Sequence, residues 1–162
     1  MKIYLGSDHS GYKYKEELRT YLSEVFFDAE IIDKGNSILD TEDDYPDFIT
    51  PVAEAVASEE DSFGIILGGS GQGEAMCANR VEGARALVFY GEEIPEGEVD
   101  IAGRKSIDTF EIIKLGREHN DANILSIGAR FVTLDEAKFA CELFLKTSFS
   151  KEERHIRRLS KF

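Results

Sequence analysis

Short apolar runs alternate along the chain with segments whose apolar residues recur at helical spacing. The runs KIYLGS, FGIILG and NILSIG are continuous enough for buried strands. Residues 13–26 instead place Tyr14, Leu18, Leu22 and Val25 near a period of 3.6, as an amphipathic helix does. The pattern therefore predicts strands and helices in regular alternation.

The predicted strands are residues 2–7, 29–34, 63–68, 84–90 and 123–128. The predicted helices are residues 13–26, 47–58, 74–81, 107–118, 134–146 and about 151–160, with Asp47 as the cap of the second and Pro51 near its first turn. Such alternation favours a parallel sheet with helices on both faces, because each crossover lays a helix on the sheet. We predict an α/β fold: a three-layer, Rossmann-like α/β/α sandwich with a five-stranded parallel sheet, forming a single domain over residues 1–162.

One segment interrupts the alternation. Residues 91–105 (GEEIPEGEVDIAGRK) are acidic, contain Pro95 and several glycines, and lack clear periodicity. We expect a long excursion between the fourth strand and the next helix, and such loops are commonly functional or mobile.

Composition narrows the class of protein. Hydrophobic residues make up 42% and charged residues 31% of the chain, which is globular composition. No apolar run approaches the roughly 18 residues of a membrane helix, and MKIYLGSDH enters a strand rather than an export segment. Cys77 and Cys141 alone make no disulfide framework, so we expect a reducing, cytoplasmic compartment.

The formal net charge of −13 repels nucleic acid and anionic membranes, and we expect neither as a partner. Against this background the C-terminal run KEERHIRRLSKF is basic. Its cations are Lys151, Arg154, Arg157, Arg158 and Lys161. Both a solvated helix face with local ion pairs and an anion-binding site remain open for it.

Chemically useful residues cluster at predicted strand ends, where open parallel sheets bind ligands. The first strand ends in GSDHSG, with Asp8 and His9, and the third in GGSGQGE at residues 68–74. His119 and Asn120 precede the fifth strand. We expect the two histidines to converge at ligand-facing ends, although a structural role for either remains open.

The GGSGQGE turn is compatible with a phosphate cradle, an oxyanion cradle or a plain tight turn, because glycines let backbone amides approach a ligand. Its spacing, Gly69-x-Gly71-x-Gly73, does not fit the dinucleotide fingerprint, and the lysine of a P-loop is absent. Nucleotide or NAD binding is therefore disfavoured.

Two polar side chains in this turn have alternative roles. Glu74 either complements the helix dipole or serves as a base that the helix N-terminus keeps ionised. Ser70 is an N-cap or a hydroxyl that orients a substrate oxygen. Cys77, one turn further on, is expected to pack inward. No metal-ligand spacing such as HxxxH or CxxC appears, so we expect no metal site.

A series of motifs spans nearly the whole chain in a specific order. They are GSDHSG, DYPD (44–47), GGSGQGE, CANR (77–80), GAR (83–85), REHNDAN, IGAR and RHIRR. In these residues the sequence resembles the RpiB/LacA/LacB family of sugar-phosphate isomerases. The resemblance implies interconversion of ribose 5-phosphate and ribulose 5-phosphate without metal or coenzyme. It also implies a homodimer or dimer of dimers whose sites are shared between subunits.

The resemblance further implies a set of site residues. Asp8, His9, Tyr45, Ser70 and the amides of Gly69, Gly71 and Gly73 would surround the sugar, His119 and Asn120 would come from the partner chain, and Arg130, Arg154 and Arg158 would bind the phosphate. Many family members carry a cysteine base where this chain has Gly68. The chain instead resembles the branch with a glutamate in the same loop, here Glu74.

We therefore expect Glu74 to take the C2 proton and form a cis-enediolate that Ser70 and the loop amides stabilise. The first choice for opening the sugar ring is His119 and the second is Asp8. Two alternatives remain: an isomerase of a hexose 6-phosphate such as allose or galactose 6-phosphate, and a non-catalytic sugar-phosphate-binding protein. The excursion at 91–105 exceeds the family's usual connection and is expected to be a lid or a subunit contact.

Overall fold

A computed structural model describes residues 1–161 as alternating strands and helices. The strands are β1 (Lys2–Ser7), β2 (Glu30–Asp33), β3 (Ser62–Gly68), β4 (Ala86–Phe89) and β5 (Ile124–Gly128). The helices are α1 (Tyr12–Val25), α2 (Pro46–Ser58), α3 (Gln72–Ala78), α4 (Glu111–Asn120), α5 (Leu134–Lys146) and α6 (Glu153–Leu159). Within residues 1–161, no helix combines the length and apolar character needed to cross a membrane.

All five strands form one parallel sheet in the order β2-β1-β3-β5-β4. On one face, Leu5 and Leu67 pack with apolar residues of α1, α4 and α5. On the other face, Tyr4 and Ile66 pack with residues of α2 and α3. The three-layer α/β/α sandwich and its five-stranded parallel sheet are thus confirmed.

Several predicted element ends were wrong. Helix α4 begins at Glu111 rather than residue 107, because Ser106 and Asp108 use their side chains to accept the amides of Asp108 and Phe110, at 3.1 and 2.9 Å. Such local bonds compete with the first helical turn. Helix α2 is preceded by Tyr45 as its N-cap residue, not by Asp47, and Pro51 lies inside the helix rather than in its first turn.

The predicted excursion at residues 91–105 contains one isolated bridge, Glu98 to Lys105, and no strand or α-helix. Arg104 connects it to α4 by a 2.6 Å hydrogen bond to Glu111, whose carboxylate is buried. Asp100 accepts the backbone amides of Ala102 and Arg104 within the same turn. The excursion is therefore tied to the N-terminus of α4.

Because the strands are parallel, the direction of the sheet determines at which edge each loop lies. Every loop that follows a strand lies at the carboxyl edge, including those after β1, β3 and β5. Helix α4 runs back across the sheet, so its last residues reach the amino edge. The loop after β1 also packs tightly on β3: a Cβ added at Gly11 would lie 2.6 Å from Cβ and 2.8 Å from the backbone of Leu67.

This close approach predicts a difference between two glycines. Gly11→Ala should destabilise the fold by roughly 1–3 kcal/mol, because the added methyl must push the β1 loop away from backbone atoms. Gly97→Ala should be neutral or slightly stabilising, because nothing lies within 4 Å of the added Cβ. Urea unfolding of both variants measures the difference, and equal midpoints would contradict the tight packing at Gly11.

Candidate functional site

A cavity of about 480 Å³ opens at the carboxyl edge of the sheet. Its lining comes from the loops after β1, β2, β3 and β5 and from the first turn of α3. The lining residues are Asp8, His9, Ser10, Tyr45, Gly69, Ser70, Gly73, Glu74, Arg130 and Phe131. The structure therefore brings together most of the residues that the sequence motifs singled out.

Asp8 follows β1 directly and is buried at 7% exposure. Its Oδ1 atom accepts the backbone amides of Ser10 and Gly11 at 2.9 and 3.2 Å. These bonds close a tight turn before α1 and fix the carboxylate in the wall of the cavity.

His9 is held by an acidic residue from the loop before α2. Its Nδ1 atom lies 2.6 Å from Oδ1 of Asp43, and its backbone amide donates to the same oxygen at 3.0 Å. The hydrogen bond to Asp43 raises the pKa of His9; burial opposes this, Asp8 adds to it, and Arg130 reduces it. His9 thus presents a partly exposed ring whose charged form is favoured.

Glu74 occupies the space next to the last residue of β3. A Cβ added at Gly68 would lie 1.7 Å from Oε1 of Glu74, so residue 68 cannot carry a side chain while Glu74 keeps this position. The Glu74 carboxyl group is buried, in a residue that is 5% exposed. The space that a side chain such as cysteine would need at residue 68 is therefore filled here by this carboxylate.

Burial raises the pKa of Glu74, and the negative charge of Asp8 adds to the rise, while the backbone amide of Glu74 and Arg130 oppose it. The helix N-terminus is expected to keep this group ionised near neutral pH, and its pKa is nonetheless higher than the ordinary glutamate value because desolvation outweighs the stabilising amide. A carboxylate with a raised pKa is a stronger base once ionised.

The glycine turn and Arg130 complete the cavity. Ser70 is exposed, and its Oγ accepts the Gln72 amide at 3.3 Å, but the N-cap residue of α3 is Gly71, with φ of 74°, not Ser70. Arg130 lies against Gly69 and donates to Ser10 Oγ at 3.2 Å. A cation therefore borders the turn's exposed backbone.

The Tyr45 ring covers the far side of the turn. A Cβ added at Gly73 would lie 3.1 Å from Cζ of Tyr45. The absence of a side chain at residue 73 thus leaves room for this aromatic wall.

A second group of predicted site residues lies elsewhere. His119 is near the end of α4, and its ring centre is 4.3 Å from that of His155 on α6. Asn120 lines a different hollow, beside Asn79 and Arg85. The expectation that His9 and His119 converge within one chain was wrong, because α4 carries His119 to the amino edge.

Helix α6 brings the C-terminal arginines to this second group. Arg154 is half-buried with Nε 2.7 Å from Oε2 of Glu152, and Arg158 is exposed one turn later. His155, between them, is buried, and its Nδ1 lies 2.8 Å from Ser150 Oγ. One chain thus holds two separated halves of the predicted residue set.

Sequence reasoning missed His155 and Asp43. His155 stands inside RHIRR, a segment whose basic charge and family resemblance directed the expectations to its arginines. Asp43 is one of several acidic residues in the polar loop before α2, and nothing in its spacing distinguishes it from Asp44. Their places in the structure depend on contacts between distant segments: Asp43 contacts His9, and His155 contacts His119.

Two further expectations can be compared with the geometry. Cys77 faces α2, with Sγ 3.4 Å from Thr50 Oγ1, and packs inward as predicted. Asp8, His9 and Asp43 offer ligand atoms within 4.8 Å of one another, a cluster that spacing did not reveal. However, both oxygens of Asp43 already accept hydrogen bonds, so the group is organised as a hydrogen-bonded network.

Known proteins resemble this chain over nearly its whole length. The sequence model of a family described as Ribose/Galactose Isomerase matches residues 3–98 and 106–162. The unmatched stretch between them lies within the excursion. A ribose-5-phosphate isomerase B from Mycobacterium tuberculosis is 37% identical over 159 residues, which cover 98% of this chain and 86% of the relative.

Solved structures agree over the full chain. Ribose-5-phosphate isomerase B from Mycoplasma genitalium with bound ribulose 5-phosphate superposes with a TM-score of 0.82 at 32% identity, covering 99% of this chain and 92% of the other. The enzyme of the same name from Clostridium thermocellum gives 0.81 at 39% identity, with coverage of 99% and 94%.

The burial of Glu74 predicts an effect on stability. A carboxyl group with a raised pKa contributes stability below its ordinary pKa and loses it as the pH rises through the raised value. Glu74→Gln should therefore be more stable than the parent at neutral pH, and the gap should close in acid. Urea unfolding of both proteins from neutral to acidic pH measures this difference in the free energy of unfolding.

Glu111 provides a control of opposite sign. Burial alone would raise its pKa, but hydrogen bonds from Arg104 and Ser106 lower it overall. Its stabilisation is present above the ordinary pKa and is lost as the pH falls through the lowered value. Glu111→Gln should thus be less stable than the parent at neutral pH. The same sign for both variants would refute this electrostatic account.

Proposed function

The chain belongs to the ribose/galactose isomerase family, and from this premise we propose that it interconverts ribose 5-phosphate and ribulose 5-phosphate with Glu74 as the base. The observation that carries the proposal is the buried Glu74 carboxylate in the space above Gly68, facing a cavity lined by Asp8 and the glycine turn. The names of the relatives and the ribulose 5-phosphate bound in one of them support the same substrate.

The reaction needs two proton shifts, one between carbons C2 and C1 and one between the oxygens on those carbons. In the open-chain aldose, Glu74 removes the proton from C2, and the electrons of that bond form a C1–C2 double bond while the C1 carbonyl becomes an enediolate oxygen. The amides of Gly69 and Gly71 and the Ser70 hydroxyl stabilise this oxyanion. The proton of the C2 hydroxyl passes to the C1 oxygen across the cis-enediolate, Glu74 delivers its proton to C1, and the C2 oxygen becomes the ketone. The protein base and the substrate's own hydroxyl carry these steps, so the scheme requires no metal or coenzyme.

Burial suits Glu74 to both halves of this cycle. A base must accept the proton and then return it, so its pKa should lie nearer to neutral than that of an exposed carboxylate. The desolvation that raises the pKa of Glu74 works in this direction. Burial also limits the positions that the carboxylate can adopt relative to C2.

We further propose that two copies of the chain share each site, as a homodimer or dimer of dimers. One chain supplies Asp8, Glu74 and Arg130 at its carboxyl edge. The partner's α4 and α6 would add His119 and Asn120 beside the sugar and Arg154 and Arg158 at the phosphate. The separation of these groups within one chain supports the idea, since a single cavity lacks the second half. His119 is the first choice for opening the ring and Asp8 the second.

The substrate proposal is tested directly. Ribose 5-phosphate is incubated with the protein in the presence of a chelator, and ribulose 5-phosphate is measured; allose and galactose 6-phosphates run in parallel. Faster turnover of a hexose 6-phosphate would reassign the substrate, and binding without turnover would indicate a sugar-phosphate-binding protein.

The free thiols of Cys77 and Cys141 fit the proposed cytoplasmic compartment.

The base assignment gives a kinetic prediction. Glu74→Gln keeps the shape of the side chain but removes its basicity, so kcat should fall by about 10²–10⁴-fold with little change in KM. Exchange of solvent deuterium at C2 should also stop. Cys77→Ala is the control and should retain kcat, because Cys77 faces α2. Normal turnover in Glu74→Gln with loss in Cys77→Ala would move the base to the thiol.

The shared site gives a complementation prediction. Asp8→Asn and His119→Ala should each be inactive alone, because each removes one half of every site. In co-expressed mixed dimers one of the two sites regains both groups, so activity should recover to about a quarter of the parent level after random pairing. Light scattering must show the oligomer. A fully active monomer, or verified mixed dimers without activity, would exclude site sharing.

A further inference from the structure

A chain of hydrogen bonds runs from the end of β1 to His9 without passing through the cavity. Ser7 Oγ donates to Oδ1 of Asn36 at 3.1 Å, and Nδ2 of Asn36 donates to Oδ2 of Asp43 at 2.9 Å. The other oxygen of Asp43 faces Nδ1 of His9 at 2.6 Å. Neither Ser7, Asn36 nor Asp43 lines the cavity.

The start of this chain depends on a close backbone approach. A Cβ added at Gly35 would lie 2.7 Å from the amide nitrogen of Ser7, so the loop after β2 rests directly on β1 only because residue 35 is glycine. Asn36 is consequently buried at 4% exposure and reaches Ser7. The loop that carries Asp43 is thereby held against β1, the strand that immediately precedes Asp8 and His9.

Asp43 is fixed at both of its oxygens. Oδ1 takes the ring and the backbone amide of His9, and Oδ2 takes the Asn36 amide, so the carboxylate cannot rotate away without losing a bond. Burial alone would raise the pKa of Asp43, but the hydrogen bonds from His9 and Asn36 lower it overall. A fixed negative charge therefore faces one side of the imidazole.

The surroundings of His9 contain charges of both signs. Asp8 precedes it on the same segment, Asp43 approaches from the loop before α2, and Arg130 approaches from the loop after β5. The hydrogen bond to Asp43 has the largest influence and raises the pKa of His9. Since Nδ1 is engaged, Nε2 is the ring nitrogen left for a ligand in the cavity.

We propose that Asp43 is a positioning residue that fixes the orientation, the tautomer and the positive charge of His9 at the cavity. Asp43 holds the proton of Nδ1 and turns the ring, so that Nε2–H donates to an oxygen of the phosphorylated substrate. Asn36 and Ser7 hold Asp43 in turn. The kinetic consequence rests on the proposed isomerase, whereas the state of the His9 ring does not.

The first measurement is of the protonation state and tautomer of the His9 ring. Nitrogen-15 NMR titration of the parent protein follows three histidines, of which His119 and His155 serve as internal references. His9 should titrate above the ordinary histidine pKa of about 6.5, and its neutral form should carry the proton on Nδ1. An ordinary titration or an Nε2–H tautomer would overturn the proposal without any variant.

Asp43→Asn is the closest substitution in shape: with its amide oxygen towards His9 it still accepts from Nδ1–H, while the negative charge and the hydrogen bond from Asn36 are lost. The pKa of His9 should fall towards or below its ordinary value. At a pH between the two His9 pKa values that NMR gives for the parent and the variant, the KM for ribose 5-phosphate should rise about tenfold, the scale of a lost charged hydrogen bond, with kcat nearly unchanged. Glu42→Gln removes a negative charge from the exposed adjacent residue, and it should change neither the pKa of His9 nor the KM.

The pH dependence separates positioning from a merely structural role. A raised pKa keeps His9 charged to higher pH, so the KM ratio of Asp43→Asn to the parent should shrink towards one at pH values below the His9 pKa that NMR gives for the variant, where both rings are charged. This ratio cancels the ionisation of the substrate phosphate. A ratio that is constant with pH, with an unchanged His9 titration, would refute the proposal.

Failure of the proposed function is distinguishable from failure of this inference. If the protein turns over no ribose 5-phosphate, the NMR titrations of the parent and of Asp43→Asn still decide the state of His9. If isomerase activity is normal but the two titrations coincide, Asp43 has no positioning role and the proposed function stands.

Discussion

The common direction of the five strands constrains where each loop can lie. Because β1, β3 and β5 all point the same way, the loops with Asp8, Glu74 and Arg130 must meet at one edge. The same rule sends the end of α4 to the opposite edge, and α6 packs beside it there. No adjustment of side chains can bring these halves together within one chain. The topology that assembles the base and the glycine turn thus excludes His119 from its own cavity.

Space at the end of β3 is the second constraint. The Glu74 carboxylate fills the volume that a side chain at residue 68 would need, so a glutamate in this loop and a larger residue at 68 exclude each other. Burial at this point also raises the pKa of Glu74. Stability and function therefore pull in opposite directions: the desolvation that suits a base makes its ionised form costly to the fold.

The local features of the fold were predictable because they depend on neighbouring residues. Continuous apolar runs indicated β1, β3 and β5, and GGSGQGE indicated a strand–turn–helix with a candidate base. The start of α4 was misplaced, since Ser106 and Asp108 satisfy backbone amides that a helix would use. Asp43 and His155 escaped detection for another reason. Asp43 contacts His9 and His155 contacts His119 across the fold, and no sequence spacing encodes such contacts.

Local charge placement reconciles an acidic protein with an anionic substrate. At physiological salt, charges more than about 8 Å apart across solvent are largely screened, so the net charge of −13 acts mainly on approach. Within the cavity the nearby groups decide: Arg130 opposes the negative charges of Asp8 and Glu74. The bond from Asp43 to His9 can add a second cation there. Asp43, which lies outside the cavity, thereby makes the interior of the cavity more positive, because its carboxylate stabilises the protonated form of the His9 ring.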